Sequence, residues 1–366
     1  MTPEELRAAV PAFDDGIYLN TGASGPSPEP VLEATTDFVR HHEADAPVAE
    51  GCYPSAFDTF DETRGRVAEF LGAAPHEIAL TSSTADGISR VAASIDWDSG
   101  DVVVRTDCEH SAGILPWWNL RERGVEVRVV PTEGGRIDRE AYREAVADAR
   151  LVVFNSITWN YGTRLPVREL TAEAHDAGAR VLVDAVQSPG QTDVDLGEWN
   201  ADFVALAGHK WLLGPWGAGV LYVREDVAEG MRPAQVGYRS VEEPDAADPQ
   251  LKAGAPRFEV GTTNPAPYVG LQAAIDTLES IGMGTVESRV AELAGRLVEG
   301  LGDRALGPAD PESGLVPFAA EDPAGLVERL ADEGIVVRDL PTPEAVRASV
   351  HVYNTPEDVD ALLAAL

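Results

Sequence analysis

Among the 28 basic residues of this 366-residue chain only Lys210 and Lys252 are lysines. Lys210 lies in the segment Ala205–Val223, at the end of an apolar run, between His209 and Trp211 and just ahead of Gly214, Gly217 and Gly219. Beside an apolar strand end and tryptophans an ammonium is poorly solvated. The free amine then becomes accessible and can attack a carbonyl carbon to give a Schiff base. Alternatively the side chain lies over Trp211 with its charge in water. Upstream, Asp184 closes the apolar run that begins at Arg180, and Gln187 follows. Ligands of open α/β sheets bind at the carboxyl ends of strands, so Asp184 reads as a functional anion or as a helix N-cap. Gln187 can donate and accept across the same crevice.

Two other turns carry reactive types. Glu77–Ile88 reads as strand, small polar turn and helix. Its Ser83 and Thr84 hydroxyls, with the amides of the helix start, form either a phosphate cradle or a plain helix cap. Asp107–Trp117 follows another apolar run and presents His110 as ligand, base or aromatic plate. No HExxH or paired-His spacing surrounds it, so no metal site is expected. A G-x-G-x-x-G fingerprint is absent, which argues against a nicotinamide enzyme, and no G-x-S-x-G elbow suggests an esterase.

The elements that must hold these residues follow from the apolar runs. Strands are expected at Glu77–Thr81, Asp101–Thr106, Glu126–Val130, Leu151–Asn155, Arg180–Asp184, Phe203–Leu206 and Gly219–Val223. Helical stretches at Ala85–Ile95, Asp138–Ala147 and Val167–Ala177 lie between them. Strands apolar throughout and separated by helices imply a mainly parallel, seven-stranded sheet covered on both faces. Residues 231–258, rich in Pro, Asp, Glu and Gln, read as a long surface excursion over the site entrance. A second unit follows, with helices at 268–281 and 285–301, a helix at 323–333, strands at 335–338 and 346–352, and a final helix. The expected division is a large α/β domain over 15–267 and a smaller one formed by 1–14 and 268–366. Thr2-Pro3 with Glu5, and Thr355-Pro356 with Glu357 and Asp358, mark the starts of the first and last helices.

Composition bounds the rest. Acidic residues number 62, giving a net charge of −34 that repels nucleic acid and anionic lipid. No apolar run approaches the roughly 20 residues of a membrane span, and the first residues lack a secretory signal pattern. Cys52 and Cys108, without CxxC, exclude a disulfide framework. These features point to a cytoplasmic globular protein. Dense carboxylates with few lysines, spread along the whole chain, suit concentrated salt; an acidic partner-binding surface is the alternative.

Taken together and in order, the Ser-Thr turn, the Glu-His element, Asp-x-x-Gln and His-Lys resemble fold-type I pyridoxal-phosphate enzymes of the class V aminotransferase group. That group includes cysteine desulfurases, isopenicillin-N-epimerase-like proteins and carbon–sulfur lyases. The resemblance runs from Ile17–Ser24 to Arg347–Thr355, essentially the whole chain. It implies pyridoxal 5'-phosphate as cofactor, held as an internal aldimine by Lys210, which then moves protons at the substrate α-carbon. Asp184 would pair with the pyridine nitrogen, and His110 would stack on the ring. Ser83, Thr84, the Ala85 amide and His209 would serve the phosphate. Gln187 would approach the ring 3-hydroxyl, with Trp159 also at the cofactor, and Arg347 would clamp the substrate carboxylate. Thr262 would reach the phosphate of a neighbouring subunit, implying a homodimer with shared sites.

Departures narrow the chemistry. Desulfurases carry a nucleophilic cysteine in the loop that here reads Asp339–Glu344, which has no sulfur. Ala207 stands where many relatives have Ser, and Ala85 where some have Thr. Trp159 occupies the usual position of an Asn in desulfurases, a pattern closer to the epimerase and lyase branch. The expected function is amino transfer on an amino-acid substrate through α-proton abstraction. Carbon–sulfur β-elimination, or a desulfurase-like protein without the usual cysteine, is the alternative, followed by epimerisation. A non-catalytic protein of the same fold is disfavoured by retention of Lys210, because arginine cannot replace a reactive amine. The missing glycine fingerprint disfavours a nucleotide-binding domain.

Overall fold

A computed structural model describes residues 1–14 and 16–366, so the expected domain boundary at residue 15 lies outside the described residues. The seven apolar runs form one sheet: β1 Ile78–Thr81, β2 Val102–Thr106, β3 Glu126–Val130, β4 Leu151–Asn155, β5 Arg180–Asp184, β6 Phe203–Ala207 and β7 Gly219–Val223. Their spatial order is β1-β7-β6-β5-β4-β2-β3. Strand β7 runs antiparallel to both neighbours, β1 and β6, and the remaining pairs are parallel. Six strands therefore point one way, and the turns after β1, β2, β4, β5 and β6 open on a single edge.

Alternate residues of each strand face opposite ways, which places two cores against the sheet. One gathers Leu80, Val104, Val152, Val183 and Val204, and the other Ala79, Val103, Val153, Leu182 and Ala205. Four strands match the sequence-based boundaries to the residue, and β1, β2 and β6 differ by one residue at one end.

A second sheet is antiparallel and three-stranded: β8 Leu315–Phe318, β9 Arg338–Pro341 and β10 Glu344–Ser349, ordered β8-β10-β9. Strand β8 has no counterpart in the sequence-based expectations. Pro317 interrupts its run, and a proline is tolerated because β8 is an edge strand. The expected strand at 335–338 divides instead. Ile335–Val336 pairs in parallel with Ile17–Tyr18, and β9 pairs with β10. Strand β10 begins and ends earlier than the expected 346–352. Helix Ala266–Ile281 packs on helices Glu29–Arg40 and Cys52–Phe70. Both expected capping boxes form, and the Arg7 guanidinium grips the Asp358 carboxylate at 2.7 and 2.9 Å, joining the first helix to the last.

Residues 231–258 are mostly irregular. Arg239, buried within that segment, and Arg64 both bond to the buried Glu259 carboxylate just beyond it. Among the described residues no helix is long and apolar enough to cross a membrane.

Candidate active site

At the sheet edge where five strand ends open lies a cavity of about 340 Å³. Its wall includes Ser83, Thr84 and Ala85 after β1, His110 after β2, and Asn155 and Trp159 at and beyond the end of β4. Asp184 and Gln187 come from β5, His209, Lys210 and Trp216 follow β6, and Arg338 and Arg347 come from the second sheet. Ten of the eleven sequence-derived site residues thus meet. Thr262 does not line the cavity; its hydroxyl pairs with that of Tyr238, and it is exposed. Among the described residues none of 231–258 lines it. A more open hollow of about 740 Å³ between Arg164 and Glu287 holds none of the strand-end groups.

At the β1 turn the capping reading is met by Ser83, and the Thr84 hydroxyl is left free. Ser83 caps helix Thr84–Ser94, its Oγ accepting from the Asp86 amide at 3.1 Å. The buried Thr84 hydroxyl has no partner. Gly219, opening β7, lets that strand approach the turn, because a Cβ there would collide with the Ser83 amide.

Lys210 is half-buried and its amine makes no hydrogen bond among the described residues. Burial pulls its ammonium down to about 8; Asp184 opposes this, while Arg347 and Arg338 add to it. Asp184 is 3 % exposed, and its Oδ1 accepts from the Val186 amide at 3.0 Å. Burial raises its carboxyl above the usual range, against the Val186 bond and the Lys210 charge. A protonated ring nitrogen beside it would restore the charged form.

Both site histidines are neutral near pH 7. Burial first, then the charges of Lys210, Arg338 and Arg347, lowers His110 to about 4. Its Nδ1 accepts from the Ala112 amide at 3.3 Å, and its ring meets Trp159 edge-on, with centroids 5.5 Å apart. His209, lowered to about 4 by burial and Lys210, packs on Trp216 at 4.4 Å.

Gln187 is placed in the wall and held on both sides of its amide, with one N–H and one lone pair left over. Its Nε2 donates to the Gly22 carbonyl at 3.0 Å and its Oε1 accepts from Trp211 Nε1 at 2.6 Å. By contrast, the indole nitrogen of Trp159 and Oδ1 of Asn155 are buried without partners. Arg347 is fully buried. Its Nη1 donates to the Trp159 carbonyl at 2.6 Å, while Nε and Nη2 find no acceptor and no carboxylate pairs with it among the described residues. Burial brings it down to about 9.

Three wall residues with charged, amide or aromatic side chains escaped the sequence reading. Arg338 faces Arg347 across the β9–β10 register and lies 5.7 Å over the Trp159 ring. Asn155 ends β4 as Asp184 ends β5, so the same strand-end signal marks it. Trp216, 71 % exposed, follows the lysine segment and carries no separate signal.

The donor set fits pyridoxal phosphate: an unpaired hydroxyl at a helix start for the phosphate, a carboxylate for the ring nitrogen, an unpaired amine, and a buried cation with two free donors for a carboxylate.

Comparison with known proteins agrees with this fit. A family model described as "Aminotransferase class-V" matches residues 17–362. A probable cysteine desulfurase of Methanothermobacter thermautotrophicus is 35 % identical, covering 99 % of this chain and 96 % of the relative. The apo structure of a cysteine desulfurase from Thermococcus onnurineus superposes with a TM-score of 0.92 at 31 % identity, covering 100 % of this chain and 97 % of the other. C-DES, a cystine C–S lyase solved with its product cysteine persulfide, gives 0.90 at 28 % identity, covering 97 and 98 %. A mutant of C-DES, solved with glycine covalently linked to its pyridoxal-phosphate cofactor, gives 0.91 at 28 %, covering 98 % of each chain.

Proposed function

The chain belongs to the class V aminotransferase family of pyridoxal-phosphate enzymes, and from that premise we propose that it cleaves a carbon–sulfur bond of a cysteine-derived amino acid by β-elimination. The observation that carries this reading is the β9–β10 hairpin. Its strands are joined by Thr342-Pro343 alone and contain no cysteine, while its two facing arginines, Arg338 and Arg347, have no carboxylate partner among the described residues. Persulfide transfer needs a cysteine on a reaching loop; elimination needs only an amine and an anchored substrate. Two unpaired guanidinium groups suit a substrate with two anionic ends, such as a disulfide amino acid. The sulfur enzymes among the relatives favour the same chemistry, and amino transfer is left with the family description as its support.

The bound cofactor supplies an electron sink for the pair released at Cα. Asp184 holds the proton at its ring nitrogen. Arg347 offers two free donor groups to the α-carboxylate and so fixes which bond at Cα faces Lys210. The Lys210 amine takes the Cα proton. The Cβ–S bond then breaks with its pair leaving on sulfur, and hydrolysis gives keto acid and ammonia. Neutral His110 takes no proton in this scheme; it walls the ring and excludes water.

The exposed apolar side chains Val48, Tyr53, Trp216 and Tyr238, with Thr262 directed away from its own cavity, support a homodimer. The testing experiment incubates the enzyme in molar salt with cystine, cysteine and alanine, without added keto acid. Cystine should yield pyruvate, ammonia and persulfide in equal amounts. Amino-group transfer that requires an added keto acid, with no ammonia, would reverse the assignment.

A further inference from the structure

Behind the cavity floor lies a second buried carboxyl that the scheme above does not use. Glu109, 3 % exposed, turns inward from the loop after β2. Its Oε1 accepts from Thr106 Oγ1 at 2.6 Å and from the Asn155 amide at 3.3 Å, and its Oε2 from Asn155 Nδ2 at 3.1 Å. Asn155 Nδ2 also donates to the Cys108 carbonyl at 3.0 Å, so both its hydrogens are used and its unpaired Oδ1 stands in the cavity wall. Thr106 ends β2 and Asn155 ends β4, neighbouring strands whose following turns carry His110 and Trp159. Space is kept for the carboxyl by Gly113, where a Cβ would lie 3.1 Å from Oε2.

We propose that Glu109 is a positioning residue acting in its neutral form: it ties the ends of β2 and β4 beneath the cavity, presents His110 and the Asn155 carbonyl to the cofactor, and leaves Asp184 as the single negative charge on the floor. The proposal rests on the cofactor assignment and not on the reaction assigned above.

The surroundings explain why the proton stays. No cation comes within ion-pair distance of Glu109 among the described residues. The charged groups facing it are Asp184 from β5 and Arg105 from β2. Cys108, on its own turn, is bonded to Thr132, and burial keeps its thiol protonated, at about 12. Helix Thr84–Ser94, packed on the following turn, pairs its Asp86 with Arg90. Burial pushes Glu109 up to about 8; Asp184 adds to this, and Thr106, Asn155 and Arg105 oppose it. A second carboxylate beside Asp184 would lift the pKa of Asp184 in turn and weaken its hold on the ring proton. As an acid, Glu109 donates to Thr106 Oγ1, reversing that bond, and still accepts from Asn155.

The test uses the cofactor-loaded enzyme and its Glu109→Gln and Glu109→Ala variants. Infrared difference spectra at pH 7 should show a protonated carboxyl stretch that Glu109→Gln removes; its absence from the wild type overturns the neutral role. Glu109 is protonated in the folded state and ionised in the unfolded state between the ordinary glutamate value of 4.5 and about 8, so the stability it contributes is lost as pH rises. The melting temperature of Glu109→Gln should therefore gain on that of the wild type from pH 5 to pH 8, and a constant difference overturns the proposal. Glu109→Ala should bind pyridoxal phosphate about tenfold more weakly. Glu109→Gln should restore most of that affinity. Equal loss in both variants would also refute the tie.

Discussion

At the scale of single residues the cavity is an unbalanced set of charges. Lys210, Arg338 and Arg347 share the cavity with Asp184, and none of the three cations has a carboxylate at ion-pair distance among the described residues. An amine held at about 8 predicts that cofactor capture by the apo-enzyme accelerates as pH rises through that value, because only the free amine attacks the aldehyde. A rate of visible-band formation that is flat from pH 6 to 9 would contradict it. Borohydride should fix the cofactor on a peptide containing Lys210, and Lys210→Ala should lose that label; labelling at Lys252 would displace the assignment. Arg347→Ala should weaken binding of α-carboxylate substrates by roughly 2–5 kcal/mol, and Arg347→Lys should restore little, since an ammonium cannot reproduce the two-donor fork. Titration with substrate analogues that retain or lack the carboxylate reads both effects.

At the scale of elements the strand-end turns do the positioning, and the irregular stretch after β7 is pinned by a buried ion network as well as packed through Met231, Ala255 and Phe258. Glu259 accepts from Arg64 at 2.8 Å, from Arg239 Nε at 3.1 Å and from the Leu80 amide at 3.0 Å. Glu259→Ala would leave Arg239 buried without a carboxylate and Arg64 with Asp61 alone, at a cost of roughly 3–5 kcal/mol. Denaturant melts should show that loss, and a change within about 0.5 kcal/mol would mean that this network is not what anchors the segment. The same scale shows where apolar patterning works. Runs such as Leu151–Asn155 and Arg180–Asp184 are buried on both faces, so their composition marks them end to end. Strand β8 hides behind Pro317, and helix Glu29–Arg40 buries only Val31 fully. Its position is set by contact with helix Ala266–Ile281, more than 200 residues away in the chain.

For the whole molecule, 62 acidic residues dominate a surface on which arginines are shared between carboxylates. Arg66 bonds to Asp276 and Glu279, and Arg128 to Glu126 and Asp148. Exposed pairs of this kind contribute little each, while the net repulsion acts over a Debye length of about 10 Å at 0.1 M salt and about 3 Å at 1 M. The melting temperature should rise markedly between dilute buffer and molar KCl. An unchanged melt would mean that the acidic surface serves a partner instead.

The order of apolar runs and the residue types at their carboxyl ends were enough to mark the sheet and Ser83, Thr84, His110, Asp184, Gln187 and Lys210, because burial on both faces and strand-end chemistry are local properties; the family resemblance carried by those motifs supplied Ala85, Trp159, His209 and Arg347. Which of those residues still had free hydrogen-bonding capacity was decided only by the tertiary structure. Gln187 is oriented by a carbonyl 165 residues away and an indole 24 residues away, which take one donor and one acceptor of its amide, and Arg338 gains its place opposite Arg347 from the hairpin register. Saturation of a donor or acceptor depends on what the folded chain brings alongside it, and spacing along the sequence does not encode that.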